Sequence, residues 1–142
     1  MNSFKIASLH RGKYMACLLI LVSITALLAS KIPVSEIIRI LIVLFSMPLI
    51  LFIGVKVALN ESVWHFTEET LTIEYAATTQ VFTRSEITYI RNLRRSGGNL
   101  IMIFSAQQPT YRCWRNKLFQ SEDDLSEMQA FLRNQDIEYY DM

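Results

Sequence analysis

Hydrophobic and polar positions divide the 142-residue chain into two regions of different kind. Tyr14 to Ser30, "YMACLLILVSITALLAS", is an uncharged apolar run between Lys13 and Lys31, and Ile37 to Leu59, "IIRILIVLFSMPLILFIGVKVAL", is a second and longer one. After Glu61 the unbroken hydrophobicity gives way to alternation: Trp64 and Phe66 share one face of "VWHFT", and Leu71, Ile73 and Tyr75 share one face of "TLTIEYA", with the turn-like "EET" between them. A continuous apolar run of about 17 residues or more is the pattern of a membrane-spanning helix, whereas period-two alternation is that of a half-buried strand.

At 1.5 Å per residue the first run reaches about 26 Å, at the short end for a bilayer, and lysines at both ends extend it by snorkelling. A cleavable signal sequence has a similar outline, with a basic start, an apolar core and small residues in "LLAS"; a second apolar run following at once favours an anchor. In that second run Arg39 and Lys56 lie near the ends, where their side chains reach an interface, and Pro48 and Gly54 are tolerated in a membrane helix. The link "KIPVSE" has room only for a tight turn, so the pattern predicts a helical hairpin with both ends on one side. The expected organisation is an N-terminal segment over 1–13, a hairpin over 14–60 with spans at 14–30 and 37–59, and a soluble domain over 61–142. Lys5, Arg11 and Lys13 precede the first span, while the turn offers Lys31 offset by Glu36, with Arg39 behind it; the positive-inside bias therefore places both termini in the cytoplasm.

Further strands are expected around Thr78 to Thr83, in "RSEITYIRNL", on either side of the Gly97-Gly98 pair, which supplies the positive φ values a tight hairpin needs, and in "TYRCW" once Pro109 has been passed. That makes five to seven antiparallel strands without crossover helices. Ser121 followed by Glu122, Asp123 and Asp124 reads as an N-cap with acids in the first turn, and Leu125, Met128, Phe131 and Leu132 recur on one helical face. The fold class predicted is a membrane α-helical hairpin joined to a small α+β domain, an antiparallel sheet capped by one C-terminal helix.

Three motifs add a resemblance. "F-T-R-S-E-I-T-Y-I" from Phe82, "Y-x-x-W-x-x-x-L-F" from Tyr111 and the acidic "S-E-D-D-L-x-x-M-x-x-F-L" from Ser121 together resemble the bacterial YcxB-like proteins. The resemblance implies two transmembrane helices followed by a PH-like (pleckstrin-homology-like) sheet or barrel, and a location in the bacterial inner membrane. It supplies architecture and little mechanism.

Composition changes this picture only where it is resolved along the chain. The net charge of +1 conceals an interval from Arg84 to Lys117 that is strongly basic and a following segment that is acidic. Cys17 and Cys113 fall in regions of different kind, which argues against a disulfide framework. His10 and His65 lie far apart with no Cys, Asp or second His at metal-ligand spacing, no serine sits in a nucleophile elbow, and no glycine-rich phosphate loop precedes a helix. Glu68 and Glu69 lie in a turn, and the acids after Ser121 are accounted for by helix chemistry. The expectation is no catalytic residue, no cofactor and no metal: not an enzyme.

What remains is the basic set Arg84, Arg91, Arg94, Arg95, Arg112, Arg115 and Lys117, opposed within its interval only by Glu86. Held under an anionic leaflet, such a set forms a candidate patch for lipid or a protein partner; the alternative is a solvated face with Arg115 or Lys117 paired to the acidic helix start. Nucleic acid fits less well, because flanking acids repel phosphate and a membrane tether restricts access. Two functions follow: an interaction module at the membrane surface, engaging lipid headgroups or a protein, or an immunity protein that protects against a membrane-active or secreted toxin.

Overall fold

The structure, a computed structural model, describes residues 1–95, 97–116 and 123–142. It separates into two compact units: Met1–Leu9 with Asn60–Met142, and His10–Leu59 between them in sequence.

The inserted unit holds helices α1 (Arg11–Lys31) and α2 (Glu36–Ala58), both long and apolar enough to cross a membrane. His10 caps α1, its Nδ1 accepting from the Lys13 N–H at 3.1 Å, and the Arg39 guanidinium donates back to the Ile32 carbonyl, 3.1 and 3.2 Å away, at the C-terminal end of α1. A Cβ at Gly54 would stand 3.2 Å from both the Tyr14 ring and the Leu18 methyl. This glycine therefore sets how closely α2 packs on α1. Pro48 lies inside α2, which runs through it.

The other unit is α+β, built from two four-stranded sheets and a C-terminal helix. One sheet has the order β1 (Asn2–Leu9), β2 (Leu59–Phe66), β3 (Thr70–Tyr75), β4 (Thr79–Thr83). The other has the order β7 (Tyr111–Asn116), β6 (Gly98–Ser105), β5 (Ile87–Arg95), β8 (Tyr139–Asp141). A 3-10 turn at Arg84–Glu86 leads from the first sheet to the second, and helix α3 (Leu125–Arg133) lies between β7 and β8. The core is filled by the faces that alternation predicted on β2 and β3, Trp64 and Phe66 with Leu71 and Ile73, together with Ile90, Ile101, Ile103 and Cys113 from the second sheet, and is closed by Leu125, Met128 and Leu132 of α3. Phe4, Phe66 and Phe131 join β1, β2 and α3 through ring contacts of 5.3 to 5.9 Å.

The structure corrects the sequence reading in five places. Residues 1–13 are not a segment outside the domain: Asn2–Leu9 is a strand of it, burying Phe4 and Ile6 in the core. The described residues contain eight strands and not five to seven, because β1 and β8 add to the six expected. β8 runs parallel to β5, pairing Ile90 with Tyr139 and Asn92 with Asp141; the connection from β7 through α3 makes this geometry possible. Of the two hairpin glycines only Gly97 has a positive φ, 84°, while Gly98 is a ladder residue whose backbone approaches the Arg115 carbonyl too closely for any side chain. Ser121 and Glu122, where the cap was expected, lie outside the described residues, but α3 begins only at Leu125 with Asp124 at its N-cap position, so Asp123 and Asp124 precede the helix and are not in its first turn.

Candidate functional site

Strand parity sorts the seven basic residues. Cys113 and Arg115 point into the protein, so Arg112 and Trp114 point out. The ladder extends the assignment across the sheet: Arg91 faces Met102, which faces Arg112; Leu93 faces Leu100, which faces Trp114; Arg95 faces Gly98, which faces Asn116. Tyr89 opposite Phe104, and Tyr140 opposite Arg91, complete this outer face. Tyr89 stacks on Phe104 at 4.3 Å and meets Tyr140 edge-on at 5.6 Å. Three of the seven cations, Arg91, Arg95 and Arg112, thus share one surface with four aromatic rings, Tyr89, Phe104, Trp114 and Tyr140, and with Leu93 and Leu100.

Arg94 and Arg115 belong to the opposite parity, and each meets an acid. Arg94 donates to Asp141 at 3.0 Å. Arg115 makes a two-point contact with Asp123, Nε to Oδ2 at 2.9 Å and Nη2 to Oδ1 at 2.5 Å, with both side chains at least 93% buried. A pairing of Arg115 with the helix start was an alternative from the sequence, but on the surface; here it is in the interior. Arg84 stands elsewhere, on the 3-10 turn, donating to the Thr67 carbonyl and to Gln135 Oε1 beside a recess that Glu68, Glu69 and Asp136 also line. Lys117 lies outside the described residues. The patch of seven therefore reduces to three, and the period-two spacing of Arg91 and Arg95 against Arg94 was the signal that separates them.

Asp123 and Asp124 precede α3 and bind β1 instead. Asp124 Oδ2 accepts the Lys5 N–H at 2.8 Å, its own N–H donates to the Lys5 carbonyl at 2.9 Å, and Asp123 Oδ2 accepts the Ala7 N–H at 3.1 Å. Together they satisfy the edge of β1 that does not face β2, where unpaired backbone groups would otherwise be left. Nearby, burial is the main force pushing the Cys113 thiol up to about 12 and the Tyr75 hydroxyl well above its ordinary range.

On the outer face of the first sheet His65 has partners that sequence reasoning missed. Ser3 Oγ lies 2.7 Å from its Nδ1 and Glu74 Oε2 lies 3.5 Å from its Nε2. With Lys5 and Glu61 at 3.0 Å, this forms a polar ladder across β1, β2 and β3. Ser3 and Glu74 are both exposed, and a nucleophile–base pair gains its reactivity from a water-excluding pocket with oxyanion donors; on an open strand face the arrangement acts as cross-strand pairing. Reading "NSFKIASL" as an alternating strand would have placed Ser3 and Lys5 beside His65 and Glu61. Among the described residues no three His, Cys, Asp or Glu side chains converge as metal ligands would.

Scanned against protein-family models and against curated protein sequences, the chain returns no match. The likeness to YcxB-like proteins rests on the three sequence motifs alone.

Proposed function

We propose that this protein is a non-enzymatic interaction module held at the bacterial inner membrane, with its sheet unit and both termini in the cytoplasm. The observation that carries the reading is the adjacency of β1 and β2. They are neighbours in one sheet although the whole of α1 and α2 lies between them in sequence. A strand on each side of the hairpin belongs to the same sheet, and backbone of one strand cannot pair with the other across a bilayer. That favours entry and exit on one side, and Lys5, Arg11 and Lys13 favour the cytoplasmic side.

The order of elements supports the PH-like and YcxB-like reading: four strands in one sheet, three more leading to a helix that closes the core, with the hairpin taking the place of the first strand-to-strand turn. Two chain connections, one from β1 and one from β2, would hold the unit close to the membrane, and its outer face of arginines and aromatic rings is the surface it offers for binding. Photo-crosslinking of the full-length protein in native membranes tests this. A crosslinker in place of Leu100 should yield a discrete lipid or protein adduct, and one in place of Thr72, on the first sheet, should not. No adduct from Leu100 would contradict the reading.

A further inference from the structure

We propose that the outer face of the β8–β5–β6–β7 sheet docks on an anionic lipid surface, with Arg91, Arg95 and Arg112 toward lipid phosphates and Tyr89, Trp114 and Tyr140 at headgroup level. The inference deepens the membrane-held reading above and rests on it.

Charge is the first support. The three arginines share one face, and among the described residues none of them forms an ion pair, whereas Arg94 and Arg115, of the opposite parity, each do. The strand positions that make up this face in β5, β6 and β7 hold no carboxylate. At the β8 margin Glu138 lines a recess with Arg91 and Tyr89; it accepts the Tyr140 hydroxyl at 3.1 Å and through that bond chiefly raises the Tyr140 pKa. The second support is Arg91 itself. Its Nη2 donates to the Met142 sulfur, a weak acceptor. The outer end of this guanidinium thus has no oxygen anion, and a lipid phosphate offers a stronger acceptor than the thioether.

Composition supplies the third. Tyrosine and tryptophan with basic residues is the mixture that collects at the bilayer interface, where rings sit among headgroups and cations meet anionic lipid. Met102 is nearly covered between Arg91 and Arg112, and Leu93 and Leu100 are half-buried, so the face is amphipathic and not a naked core side. An acidic protein would answer the same charge, but a chain with its own hairpin keeps a bilayer permanently within reach, at an effective concentration no free partner matches.

Trp114 reports directly on this contact. The chain has two tryptophans; Trp64 is fully buried in the core, and neither helix of the hairpin contains one. The full-length protein is reconstituted into phosphatidylcholine vesicles with or without about one-third phosphatidylglycerol, an anionic leaflet of the kind expected to attract basic surfaces, using lipids brominated near the headgroup. Trp114→Phe supplies the Trp64 background. The Trp114 emission should be quenched in anionic vesicles and released in 1 M salt, where the Debye length falls to about 3 Å. Arg91→Gln/Arg95→Gln/Arg112→Gln should release it at low salt, each charge changing the docked-to-undocked ratio about fivefold; the salt arm reads the same contact without any variant. Equal quenching in neutral vesicles, or quenching indifferent to salt, overturns the proposal. Absence of quenching together with a protein adduct at Leu100 in native membranes also overturns it, yet leaves the module reading standing; absence of both sinks the two together.

Discussion

Arg115 and Asp123 show at the scale of single residues how a sequence-level charge acquires its meaning from position. Read along the chain, Arg115 is one of seven cations and Asp123 one of several helix-start acids. In the structure they form a buried pair that also receives the Ala7 N–H. Removing one member leaves the other charged and dry, so Asp123→Ala should lower the unfolding free energy of the detergent-solubilised protein by about 3–5 kcal/mol, and Arg115→Met/Asp123→Leu should recover much of the loss; denaturant titration measures both. Cys113 carries a second residue-scale prediction. Its thiol is held neutral up to about 12, mainly by burial, against about 8.5 for a free thiol. A raised folded pKa means that its stabilising contribution is intact below the free value and is lost as pH rises through the folded one. Stability should therefore fall between pH 9 and 12, with Tyr75 and Tyr139, also raised by burial, acting in the same direction. In a Cys17→Ser background, maleimide should label Cys113 at pH 8 only after unfolding.

At the scale of elements, the strands on either side of Glu61 to Trp114 show what a linear pattern reveals. β2 to β7 were legible because their alternation is strong and each pairs with a neighbour a few residues away. β1 carries the same alternation, Phe4 and Ile6 inward with Ser3 and Lys5 outward, but its partner lies beyond the entire hairpin, and residues ahead of a long apolar run read as an N-terminal segment outside the domain. β8 has only three residues, too few for a period, and its parallel pairing with β5 is set by α3 and not by a turn. The face of α3 was legible from its three- and four-residue spacing. The site was legible as a set of cations but not as a surface, since separating Arg91, Arg95 and Arg112 from Arg94 and Arg115 requires the register. If β1 is integral, Ile6→Ala should cost about 2–5 kcal/mol as other large-to-small core changes do, and limited proteolysis should then cut the sheet unit while sparing the hairpin. Within the hairpin, Gly54→Ile would force a branched side chain against Tyr14 and Leu18; overpacking of this kind costs about 1–3 kcal/mol, seen as a lower melting temperature in detergent, with Gly54→Ala costing less because its Cβ asks those two side chains to give by only a few tenths of an ångström.

At the scale of the whole molecule, the hairpin is an insertion into a sheet and not an anchor added in front of one. A domain attached after a hairpin has one connection to it, whereas a sheet interrupted by a hairpin has two, and its first strand precedes the hairpin in the chain. Topology is thereby tied to folding: the strands flanking the hairpin pair only if they share a compartment. Cysteine labelling with a membrane-impermeant maleimide tests this most directly. In the Cys17→Ser background, single cysteines replace Asn2 on β1, Gln80 on β4 and Pro33 in the turn, all exposed, while Cys113 stays buried. In sealed vesicles with the cytoplasmic face outward, the account predicts that the probes at 2 and 80 label together and the probe at 33 labels only after permeabilisation. Labelling of 2 and 80 from opposite sides would contradict it.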